Sequence, residues 1–240
     1  MSAGWTETRV RSERRFDIWN EVPLVPQTTG MSCWAAAAAM VIGWRDGIPV
    51  DPDEVARGAG RWEEFRIGLH PRDVGELAGA WGLVVEDVDA FTVDALRERL
   101  QDHGPLWVGE ASPGLHAVVL VGIVGDGSEE GTHVRINDPW PIGRGERYVL
   151  TFADFARNFR AAAELAGAHA HVLRADRRSP MGGRTAFRST FSSLSKEFTM
   201  YDFPQRPGQH EEYGNGLTAR SLGRIEIGRA SCRERVYVLV

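Results

Sequence analysis

Cysteine is almost missing from this chain: Cys33 and Cys232 are the only two in 240 residues. A disulfide framework is therefore excluded as the basis of the fold. Lysine is scarcer still, with Lys196 alone, so arginine carries nearly all the positive charge. No long basic run occurs and the net charge is −5. Nucleic acid is not an expected partner. No apolar run approaches the roughly 18 residues that span a bilayer, the longest being Trp34 to Ile42, so no membrane partner is expected either. The opening MSAGWTETRVRSERRF lacks the apolar segment of a Sec signal peptide. The expected location is the cytoplasm, or outside the cell by a route that needs no cleavable leader. No His, Cys or Asp cluster has metal-ligand spacing. Neither a metal nor a cofactor is expected, and nothing in the sequence fixes an oligomeric state.

What is present is enough apolar material for one core. Hydrophobic residues make up 42% of the chain, including 8 Trp and 10 Phe. Residues 1–20 read as a flexible arm and 21–175 as the folded domain. Residues 176–225 are rich in Arg, Ser, Gly, Pro and Gln without lasting periodicity, which reads as a disordered tail. Residues 226–240 contain EIGRASCRERV, which resembles the in-frame translation of a sequencing-library adapter, and are read as a non-native extension.

Within the domain, residues 21–32 are extended and turn-prone because of two prolines and Gly30. Cys33 to Trp44 reads as a helix built on five consecutive alanines. Asp51-Pro52-Asp53-Glu54 and His70-Pro71 start further helices, the second ending near Gly82. Leu83 to Val88 alternates like a strand, and Thr92 caps an amphipathic helix. Then come apolar, β-branched runs at 105–109, 116–124, 133–137 and 147–150, a helix capped by Thr151, and a last strand near 169–174. Helices followed by strands predict an α+β fold, with the helices on one side of an antiparallel sheet.

The chemistry centres on Cys33. A thiol is a strong nucleophile as the thiolate, and a helix N-terminus stabilises that anion. Cys33 stands where a Gly-containing turn gives way to the alanine helix. A lone thiol is more often a small buried core residue, but Gln27, six residues upstream across that turn, shifts the balance. A side-chain amide there, together with the Cys33 N–H, can supply two donors to a developing oxyanion. Of the seven histidines, His116 alone follows a turn and leads an apolar strand, so its imidazole must find a partner or a function. The group that orients it should accept from its second ring nitrogen. Asp138 and Asn137 both end the following strand. Antiparallel pairing brings that end beside His116, and alternation lets only one of the two face it.

These segments resemble a known family. Pro26-Gln27-Thr28-Thr29-Gly30-Met31-Ser32-Cys33-Trp34-Ala35-Ala36 is similar to the active-site segment of papain-like bacterial cysteine peptidases, the group containing the plant-pathogen effector AvrRpt2 and the related C39-like peptidases. Gly-Leu-His116-Ala-Val-Val-Leu-Val-Gly resembles their histidine strand, and Asn137-Asp138-Pro139-Trp140 their aspartate motif. The likeness covers about residues 21–160. It implies a papain-like fold with a helical lobe bearing Cys33, followed by an antiparallel sheet lobe bearing His116 and Asp138. It also implies cysteine endopeptidase activity on a protein or peptide held in the cleft between the lobes. In the family the Gln supplies the oxyanion hole and Asp, rather than Asn, is the third residue. The family includes secreted effectors and toxins. Two other readings keep the same residues: a papain-like deamidase or acyltransferase, and a catalytically inactive peptide-binding domain.

Overall fold

The computed structural model describes residues 15–111, 114–167 and 170–176. The tail and the adapter-like extension lie outside the described residues, as do residues 1–14 of the arm.

Chain order is β1 (Phe16–Trp19), α1 (Cys33–Asp46), α2 (Pro52–Gly58), α3 (Glu64–Ile67), a 3-10 turn (Pro71–Asp73) running into α4 (Val74–Trp81), β2 (Leu83–Val88), α5 (Val93–His103), β3 (Leu106–Ala111), β4 (Leu115–Gly125), β5 (His133–Asp138), β6 (Glu146–Thr151), α6 (Phe152–Ala166) and β7 (Ala170–Ala175). Local chemistry accounts for the boundaries. Gly47 closes α1 and Gly82 closes α4, each in the left-handed conformation that favours glycine. Thr92 Oγ1 accepts from the Ala95 N–H at 3.2 Å, and Thr151 Oγ1 from the Asp154 N–H at 3.1 Å, capping α5 and α6.

The strands form one antiparallel sheet in the order β2-β7-β3-β4-β5-β6, with β1 paired to the far half of β4. β1 corrects the reading of residues 1–20 as a flexible arm, because residues 16–19 are a sheet strand. Four residues carry too little pattern to be read as a strand on their own. What holds them is tertiary: β4 is long enough to take β3 on its first half and β1 on its second. Wholly buried Arg135 then reaches Asp17 with both guanidinium NH groups and lies over the Trp19 ring.

Helices cover both faces of the sheet, not one. Ala117, Val119 and Val121 of β4 pack with α1, α2 and α4, whereas Val118, Leu120 and Ile123 pack with α5 and α6. The unbroken apolar run of β4 reflects burial on both sides, which alternation alone does not reveal. α1 is apolar all round: Ala35 to Ile42 are all buried. Its alanines let the helix lie close between the sheet and the other helices, and this fixes where its N-terminus points. No helix among the described residues is long and apolar enough to cross a membrane.

Candidate active site

Cys33 is the first residue of α1. Ser32, the N-cap, makes no side-chain cap bond, and the first turn holds no acidic residue. The partial positive charge of the helix start therefore acts on the sulfur unopposed. Ser32 Oγ instead accepts from the Thr29 N–H at 3.0 Å. Cys33 is 5% exposed, and that small exposure opens into a cleft of about 620 Å³.

His116 begins the sheet-lobe wall of the same cleft. Its ring is buried and its Nε2 lies 2.6 Å from Asp138 Oδ1. The same carboxylate oxygen accepts from the Trp140 N–H at 2.8 Å, which fixes Asp138 from the other side. The second ring nitrogen, Nδ1, is buried and has no well-formed hydrogen bond. Cys33 is nonetheless near enough to act on the ring. Burial pushes the imidazole down from its ordinary 6.5, but the charges of Asp138 and then Cys33, with hydrogen bonding to both, raise it to about 10.

The two candidates for the orienting group separate as alternation requires. Asn137 turns to the opposite face, donating to the Val22 carbonyl at 3.1 Å and accepting from Arg147 Nε at 3.3 Å. Asp138 faces His116. The structure thus brings Cys33, His116 and Asp138 together.

Gln27 is held near them but does not line the cleft. It is wholly buried. Its backbone is clamped to the loop after Asp138: the Gln27 N–H donates to the Pro139 carbonyl and the Gly143 N–H to the Gln27 carbonyl, both at 2.9 Å. Its Nε2 donates to the Thr29 carbonyl at 2.7 Å. Its Oε1 is buried with no hydrogen-bond partner among the described residues.

Sequence reasoning missed several parts of the cleft. The short helix α3 supplies Glu64 and Ile67 to its helical wall, and α6 supplies Ala162, Leu165 and Ala166 to the other. Ile67 and Leu165 are 64% and 48% exposed, so both present apolar surface to solvent at the cleft. His70 and His171 also line it, though neither ring joins the Cys33 group: the His70 Nδ1 accepts from the Arg72 N–H and the His171 Nδ1 lies 2.9 Å from Asp87. α3 could not have been foreseen, since its four residues are too short for a period. Among the described residues, no group of three His, Cys, Asp or Glu side chains is placed to hold a metal.

Solved structures similar to this chain include the peptidase domain of Streptococcus ComA, a bi-functional ABC transporter involved in a quorum-sensing pathway. It is 16% identical, with a TM-score of 0.43 over 64% of this chain and 98% of that one. A C39-like peptidase from Bacillus anthracis is also 16% identical, with a TM-score of 0.46 over 68% of this chain and 98% of that one. UfSP from C. elegans is 11% identical, with a TM-score of 0.43 over 66% of this chain and 34% of that one. No curated protein sequence matches. The family described as papain-like cysteine protease AvrRpt2 matches residues 14–160, more than half of the chain. With a helical lobe and an antiparallel sheet lobe meeting at Cys33 and His116, this protein belongs to the AvrRpt2 family of papain-like cysteine peptidases.

Proposed function

We propose that the protein hydrolyses peptide bonds within protein or peptide chains, with Cys33 as nucleophile, His116 as general base and acid, Asp138 as the orienting carboxylate and Gln27 as an oxyanion donor. The observation that carries this is the imidazole held between a buried carboxylate and a thiol that opens on a cleft. His116 Nδ1 takes the Cys33 proton, and the imidazolium so formed lies against Asp138. The thiolate attacks the peptide carbonyl. The Cys33 N–H and the second amide N–H of Gln27 meet the oxyanion. His116 then gives its proton to the leaving amine, and water, deprotonated by the ring, splits the thioester to release acid and thiolate.

The cleft accepts an extended chain, since it is open and is walled by α3 on one side and α6 on the other. As a bacterial effector, in keeping with the family resemblance, the enzyme would act on a host protein.

The test is proteomic. The wild-type chain and its Cys33→Ala variant are incubated with a cell lysate, and new protein N-termini are catalogued. Termini made by wild type alone are expected. A lysate with no new termini, in which glutamines instead gain about one mass unit, would replace hydrolysis of the backbone with side-chain deamidation.

A further inference from the structure

Thr29 connects three parts of the site that the cycle above leaves separate. Its carbonyl oxygen accepts from Gln27 Nε2 at 2.7 Å. Its Oγ1 donates to the Phe65 carbonyl of α3 at 2.7 Å and accepts from the Met31 N–H at 3.3 Å. Its N–H donates to Ser32 Oγ at 3.0 Å. α3 is pinned a second time one residue earlier, where Trp34 Nε1 of the nucleophile helix donates to the Glu64 carbonyl at 3.3 Å. The wall of the cleft is thus tied through consecutive carbonyls to α1 and to the Gln27 turn.

A side-chain amide has two N–H donors. Gln27 gives one to Thr29, and that bond sets the direction of the other. An amide with a buried, unpartnered Oε1 has no second anchor among the described residues to hold it. We propose that Thr29 is a positioning residue: it aims the Gln27 amide, and through Phe65 it makes that aim depend on the substrate-facing helix α3. This inference rests on the proposed role of Gln27. Displacement of an oxyanion donor by an ångström suffices to slow acyl transfer substantially.

The test uses the full chain with Thr29→Val, which keeps the shape and removes the hydroxyl, and Thr29→Ser, which restores it. The first readout needs no substrate: proton exchange of the Gln27 side-chain NH2, followed by 15N NMR. Exchange in Thr29→Val should quicken about tenfold or more, because the Thr29 carbonyl that holds the amide is no longer anchored through its own hydroxyl to Phe65, and Thr29→Ser should return it to the wild-type rate. Alkylation of Cys33 by iodoacetamide should stay within about twofold of wild type, because the thiol and His116 are not touched. On a substrate found through its new termini, kcat should fall about ten- to a hundredfold with KM steady.

Unchanged Gln27 exchange in Thr29→Val would overturn the inference, as would a parallel loss of iodoacetamide reactivity, which would make Thr29 a support of the whole site. Should Thr29→Val give no cooperative melt, Ser32→Ala carries the same readouts, because it removes both the acceptor of the Thr29 N–H and the hydroxyl that donates to the Thr29 carbonyl at 3.4 Å. A wild-type chain that makes no new termini would sink the hydrolytic reading, while the exchange measurement would still decide the role of Thr29.

Discussion

Replacing Asp138 with Asn perturbs the site where its electrostatics are concentrated. The carboxylate and the His116 ring are both wholly buried, 2.6 Å apart. The rise of His116 from 6.5 to about 10 occurs against burial, which by itself lowers it. That rise amounts to roughly 5 kcal/mol in favour of the charged ring, and the Asp138 charge is its largest favourable source. An amide keeps the shape and removes the charge, so His116 should titrate lower by roughly 1–3 pH units. Burial then acts against the charged ring with only Cys33 opposing it. At the larger shift the ring is only about half charged at neutral pH, and because an amide also no longer fixes the ring's tautomer, turnover should fall on the order of a thousandfold or more. The assay is a pH titration of the His116 ring resonances in wild type and Asp138→Asn, with circular dichroism to establish that the variant is folded. If His116 in the folded variant still titrates near its wild-type position, Asp138 is not what holds its charge and the reasoning fails.

Three further outcomes follow from the same structure. Gln27→Ala should lower kcat about a hundred- to a thousandfold while iodoacetamide alkylation of Cys33 stays near wild type. Equal loss in both assays would make Gln27 a structural residue only. The His116 pKa is raised on folding, so its contribution to stability is fully present below about 6.5 and is lost as pH rises to about 10. The melting temperature of wild type should therefore lose ground against His116→Gln across that window, and a gap that widened with pH would contradict the sign. Gly122 has no room for a side chain, since a Cβ there would collide with the Ile18 carbonyl oxygen of β1. Gly122→Ala should push β1 off β4 and destabilise the chain by about 1–3 kcal/mol in urea unfolding.

Much of the site was legible because short-range chemistry defines it. A turn, a thiol and an alanine run place Cys33 at a helix start; a turn before an apolar strand marks His116; alternation leaves one of Asn137 and Asp138 to face it. Strand pairing then does what the sequence suggested, with β4 and β5 antiparallel and Val119 opposite Asn137. The elements that escaped are those whose stability is tertiary. β1 needs the second half of β4 and the buried Arg135. α3 needs Trp34 and Thr29 to hold its carbonyls. The placement of helices on both sheet faces was hidden for a related reason: in a doubly buried strand every residue is apolar, so periodicity carries no side information. The cleft walls lie on these long-range elements, and substrate preference was unreadable for that reason.

The proposed mechanism requires the Cys33 sulfur to be an anion at neutral pH. The direct measurement is the pH dependence of Cys33 alkylation by iodoacetamide in the wild-type chain, followed by mass spectrometry of the peptide containing it. Alkylation should be fast, with a plateau that extends well below the ordinary thiol range of about 8.5, because His116 remains charged beside the sulfur. A rate that climbs with an ordinary thiol pKa and matches a simple alkylthiol would contradict it.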